Sequence, residues 1–172
     1  MKKFYIPLLC LIFFFASCSN QDFTPYLIFD EEAHNTAKEK WENYNCKNYT
    51  FTYEINSSAT GGNYPKVAVT VKNGTSTYEV LADSQEDLDR FDEYDARFVF
   101  AEYLFDYILE IYKEEKRFVE KRPEGLISDT IEVKYDATTG FPKSIKVYSS
   151  WTPGLSIDGH WWSIKITDIK FN

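Results

Sequence analysis

The stretch KVAVTVKNGTSTYEVL, from Lys66 to Leu81, alternates apolar and polar residues up to an Asn-Gly pair and continues in the same manner after it. A period of two over Val67, Val69 and Val71 is that of a half-buried strand. Asn73-Gly74 favours the two-residue type I′ turn, because both turn positions require positive φ. With a loop of that length Val69 falls opposite Tyr78 and Val67 opposite Val80, so both strands turn the same face inward. The stretch therefore predicts a β-hairpin in an antiparallel sheet.

Upstream, Tyr49, Phe51, Tyr53 and Ile55 alternate with Thr50, Thr52 and Glu54, a further strand with one apolar face that NSSATGGNYP then breaks. Before it, Asp30 is a good N-cap with Glu31 and Glu32 in the first turn, and Ala33, Ala37, Trp41 and Tyr44 share one helical face up to NCKN. Downstream of the hairpin, the acidic run Asp83 to Asp95 leads into a long helix expected over 96–118. Its polar stripe is Glu102, Asp106, Glu110, Lys113 and Arg117, and its apolar face includes Phe98, Ala101, Leu104, Phe105, Ile108 and Ile111. Arg122-Pro123-Glu124-Gly125 is a turn. Two strands follow, around Ile131 to Tyr135 and Ile145 to Val147, joined by the polar corner YDATTGFP. In the last strand Trp162, Ile164 and Ile166 hold one phase and Ile169 and Phe171 the other, which predicts a bulge or strand end near Thr167-Asp168. The expected fold class is α+β, a mainly antiparallel sheet in the order α-βββ-α-βββ with helices packed on one face, as a single domain over residues 30–172.

The first residues carry a different message. MKK supplies a charged start, FYIPLLCLIFFF an apolar run too short to span a bilayer, and Ala16-Ser17 a small pair directly before Cys18. FASC resembles the bacterial lipoprotein signal, so residues 1–17 are read as a signal peptide, Cys18 as the lipidated residue and 18–29 as a tether. Acyl chains on Cys18 would hold the protein on the membrane at roughly 0.8 kcal/mol per buried methylene. Cleavage there removes 17 of 172 residues and leaves 155, and it removes Lys2 and Lys3 from the 19 basic residues. The remaining 17 face 27 acids, a net charge of −10. Such a charge excludes nucleic acid as a partner and argues against adhesion to anionic head groups. Cys46 is then the only thiol expected in the mature chain, so no internal disulfide is expected. The expected location is the bacterial cell envelope, facing the periplasm or the cell surface, with the outer membrane favoured where the cell has one.

Trp41 and Tyr44 before the aromatic strand YTFTY, the segment VAVTVKNG, the helix segment FDYI, YDATTGFP with Ile145 after it, and Asp158 before the last strand together resemble the DUF6174 family of small bacterial envelope proteins of unknown function. The resemblance implies compartment and fold and brings no activity. Many members carry cysteines after the aromatic strand, where this chain has SSATGG, so no disulfide or metal expectation transfers.

Chemistry-bearing residues are sparse. His34 lies in the first turns of the first helix and reads as exposed. His160 stands near Asp158 and beside Trp161 and Trp162, yet no serine motif or second ligand accompanies it. Cys46 reads as a small buried residue. The run Asp83 to Asp95 contains no glycine for the sharp turn of a calcium loop, so no metal is expected, and nothing calls for a cofactor. Aromatic residues make up 18% of the chain, and most of them must belong to the core. Trp161 and Trp162 point to opposite faces of a strand, so one of them, with Trp151, could form a flat surface for a sugar ring or a protein. Two function classes follow: a non-catalytic envelope module binding a protein, glycan or small ligand, and, as the alternative, a hydrolase or metal-dependent enzyme using His160 with Asp136 and Asp158. YDATTGFP itself reads as a corner, its Asp and Thr bonded to nearby backbone and Gly140 at positive φ.

Overall fold

The computed structural model describes residues 24–58, 62–90, 97–153 and 161–172. Cys18, Asp158 and His160, together with the whole leader, lie outside the described residues. In chain order the elements are β1 (Tyr26–Ile28), α1 (Glu31–Tyr44), β2 (Asn48–Ser57), β3 (Gly62–Asn63), β4 (Lys66–Lys72), β5 (Thr75–Leu81), α2 (Gln85–Arg90), α3 (Ala101–Glu120), β6 (Leu126–Tyr135), β7 (Pro142–Trp151) and β8 (Trp161–Phe171). The strands form one sheet ordered β1-β6-β7-β8-β2-β4-β5, with β3 paired to β2 off this path. All pairings are antiparallel except β1 with β6. The class is α+β.

Asn73 and Gly74 have φ of 50° and 78°, the type I′ combination, and β4 and β5 pair with Val69 opposite Tyr78 and Val67 opposite Val80. In β8 the ladder to β2 slips between Thr167, which faces Thr52, and Lys170, which faces Thr50, and Asp168 takes φ of 52° within the slip. The extra residue turns Phe171 back to the apolar side, where it meets Trp41, Tyr44 and Phe141.

One sheet face carries the apolar core: Tyr49, Phe51 and Tyr53 of β2, Val67, Val69 and Val71 of β4, Ile145 and Val147 of β7, and Ile164 and Ile166 of β8 are all buried. Helix α1 reaches this face through Trp41, whose ring stands edge-on to Tyr49 and Phe141, each with centroids 5.2 Å away. Helix α3 reaches it through Leu104, Phe105, Ile108 and Ile111, with Phe105 stacked on Tyr135. The two helices are tied together by Lys38 to Asp106 at 3.2 Å and by the Trp41 indole N–H donating to Glu102 at 3.2 Å.

Four elements depart from the sequence expectation, the first being β3, whose Gly62 and Asn63 pair with the end of β2 inside a stretch expected only to break the strand. Strand β1 adds a parallel pairing to the sheet edge, and a three-residue segment is too short to show a period. Part of the acidic run forms the short helix α2, and residues 91–96 lie outside the described residues. The long helix begins at Ala101 and not at 96, because Phe98 is packed against Tyr53 and Tyr107 ahead of the helix and Arg97 lies over the Phe98 and Tyr107 rings. With no side-chain cap at Phe100, the Ala101 amide donates to the Tyr49 hydroxyl at 3.1 Å, which satisfies one of the orphan N–H groups of the first turn. Burial, more than the nearby charges, pushes the Tyr49 phenol up to about 12.

Candidate functional site

The YDATTGFP corner closes β6 onto β7, and its polar atoms are consumed in doing so. One carboxylate oxygen of Asp136 accepts from the Thr138 amide at 3.1 Å, the Thr139 amide at 3.0 Å and the Thr139 hydroxyl at 3.1 Å. The Thr139 amide foremost among these holds the carboxyl below its usual range. Gly140, at φ 79°, donates to the Asp136 carbonyl at 2.9 Å and lies against the Ala37 carbonyl of α1. A cavity of about 390 Å³ opens between this corner and α1, with Asp30, Thr36, Lys40, Tyr135 and Asp136 on its wall. Asp30 caps α1 through the Ala33 amide, and Lys40 reaches the Ala137 carbonyl. The corner holds the fold and presents no convergent chemistry.

His34 corrects the expectation most sharply. It is 0% exposed, ringed by Phe29, Phe105 and Tyr135, with Nδ1 2.8 Å from the Tyr135 hydroxyl and Nε2 buried without a hydrogen-bond partner. Burial first, and the charge of Lys38 second, lower its pKa from 6.5. A neutral imidazole in this cage is a packing group. The same region hides another pair: Glu115 of α3 hydrogen-bonds Asp129 of β6, itself 1% exposed and also accepting from Ser149. Burial first, and the hydrogen bond and charge of Asp129 after it, drive the Glu115 pKa upward. Among the described residues no group of three or more His, Cys, Asp or Glu side chains is arranged to hold a metal ion. Cys46 is half-buried, its thiol donating to the Asn48 carbonyl at 3.2 Å.

The sheet's other face is different. Trp161 opens β8, and its backbone is fixed on both sides by Ser58, whose amide donates to the Trp161 carbonyl and whose hydroxyl accepts from the Trp161 amide. Trp161 pairs with Tyr148, and the two are 48% and 41% exposed. Around them Asn56, Glu132, Lys146 and Ser163 complete a groove of about 670 Å³. Trp162 has the opposite parity: it pairs with Val147 and its ring lies 5.8 Å from Tyr107 of α3. Trp151 shares the parity of Val147, so Trp161 finds Tyr148 beside it and not Trp151. Asp158 and His160 belong to the segment outside the described residues. Tyr148 shares the phase of Lys146 in KVYSSW, which places it on the polar side, a signal that tryptophan positions alone do not carry.

The described residues thus form an α+β fold with one mainly antiparallel sheet, two long helices and a groove lined by Trp161 and Tyr148. The chain belongs to the DUF6174 family, a family of unknown function whose model matches residues 33–151. No curated protein and no solved structure matches the chain. Among the described residues no helix is long and apolar enough to cross a membrane.

Proposed function

We propose that this chain is a lipid-anchored protein of the bacterial cell envelope that acts as a non-catalytic binding module, with the sheet face around Trp161 and Tyr148 as its binding surface. The observation that carries the reading is the exposure of two large aromatic rings side by side on a polar sheet face. Such rings offer a flat π surface to the C–H face of a pyranose or to an apolar side chain. Asn56, Ser163, Glu132 and Lys146 supply an amide, a hydroxyl, an anion and a cation at the rim, a set suited to a polar, near-neutral ligand such as a glycan. The hydrolytic alternative through His160 with Asp136 and Asp158 loses support because the Asp136 carboxylate is held by its own loop.

Two tests address the surface and the anchor separately. Trp161→Ala and Tyr148→Ala are each expected to weaken retention of glycans or envelope proteins by about tenfold or more, the usual cost of removing an aromatic anchor, with thermal unfolding little changed. Retention of the same ligands by both variants at parental affinity would remove the surface from consideration. Cys18→Ser is expected to move the protein from the membrane pellet to the soluble fraction, since each acyl chain contributes roughly 0.8 kcal/mol per buried methylene. A Cys18→Ser protein that still sediments with membranes would contradict the anchor.

A further inference from the structure

The two ends of the sheet are built unequally. β1 ends one side with three residues, while β5 ends the other with seven, in unbroken register with β4 and with no strand on its outer side among the described residues. Natural edges of that length are commonly blunted by proline, lysine or a bulge. TSTYEVL has none of these.

The hairpin decides which backbone groups face outward. Lys72 and Thr75 flank the type I′ turn and therefore form a hydrogen-bonded pair, and such pairs alternate along the ladder. Thr75, Thr77, Glu79 and Leu81 thus bond to β4. Ser76, Tyr78 and Val80 direct their N–H and C=O groups away from the sheet. The Asn73 amide, which reaches the other way to the Lys47 carbonyl on the β2 side, agrees with this parity. Tyr78 has the same parity as the core residue Val69, yet it is 46% exposed.

We propose that β5 is a self-association edge, pairing antiparallel with β5 of a second copy about a two-fold axis at Tyr78. Tyr78 is the midpoint of the strand, so this register pairs all seven residues. It also brings the outward groups together: Ser76 meets Val80 of the second copy, and Tyr78 meets Tyr78. The only charge on the strand, Glu79, faces Thr77 of the second copy and not its own counterpart. The two uncovered Tyr78 rings become cross-strand neighbours. A head-to-tail arrangement of β5 on β1 would pair only three residues, so the contact closes as a dimer and does not extend into a filament.

The test is sedimentation and amide exchange of the full chain in detergent, from low micromolar to millimolar concentration. The expected result is a dimer in which the Ser76, Tyr78 and Val80 amides exchange about tenfold more slowly than in the monomer. Tyr78→Pro removes only an outward N–H, which an edge position tolerates, and should give a monomer. Tyr78→Lys sets two cations across the axis and should do the same, and it decides the matter alone if the proline variant fails to fold. A chain that stays monomeric throughout, whether or not those three amides are protected, overturns the proposal. So does a dimer that leaves the three amides fast, or one that survives in the folded variants.

Discussion

Gly140→Ala is expected to lower the unfolding free energy by about 3 kcal/mol, against about 1 kcal/mol for Gly74→Ala. The two glycines share nearly the same backbone, φ 79° and 78°, so the left-handed penalty of an alanine is common to both. What differs is the space. A Cβ at Gly74 meets nothing within 4 Å, whereas one at Gly140 would collide with the Ala37 carbonyl oxygen and lie 3.0 Å from Lys40 Cβ. The obstacle is helix backbone, which cannot rotate aside, so α1 must move away from the corner and loosen the Trp41 contact with Phe141. Urea unfolding of the two variants beside the parent measures the difference directly. Equal losses would mean that α1 does not press on the corner.

Where local pattern and tertiary demand coincide, the fold was legible. The β4–β5 register followed from one dipeptide and a period of two, and the β8 bulge from a change of phase between Ile166 and Ile169. The start of α3 was not legible, because Phe98 fits a helical apolar face as well as it fits the pocket beside Tyr53, and only the packing of Arg97, Phe98 and Tyr107 separates the two. The parallel β1–β6 pairing joins segments a hundred residues apart through three residues, and no local signal encodes it.

The site was legible in part. Opposite faces for Trp161 and Trp162 follow from strand geometry alone, but which of them stays open depends on which side α3 occupies. A glutamate on a charged helix reads as solvated, yet Glu115 follows Ile108 and Ile111 at spacings of seven and four on the inward face. His34 departs from its expected exposure for a similar reason. Ala33, Ala37, Trp41 and Tyr44 make an acceptable stripe, but His34, Ala37, Trp41 and Tyr44 make an equally good one, and the polarity of histidine favours the first although the structure buries His34.

That burial makes His34 the group through which acid should destabilise the protein. In the folded chain burial and Lys38 hold its pKa below 6.5, against the weaker opposing pull of Glu31 and Asp106, while the unfolded chain titrates near 6.5. The unfolded state therefore binds the proton first. The stability that neutral His34 contributes is complete above pH 6.5 and is lost as pH falls toward the folded pKa. Glu115 acts in the opposite sense. Its folded pKa lies above the unfolded 4.5, so its contribution is present below that value and fades as pH rises through the folded pKa. Comparison with His34→Gln separates the two, since an amide keeps a partner for the Tyr135 hydroxyl without titrating. From pH 6.5 downward the stability advantage of the parent over the variant is expected to narrow, by up to about 1.4 kcal/mol per pH unit, the limit set by one proton. Denaturant unfolding of both proteins at a series of pH values gives the two curves. Parallel curves would mean that the imidazole accepts its proton inside the fold as readily as outside it, which a ring with Nε2 buried and unpartnered among Phe29, Phe105 and Tyr135 has no acceptor to support.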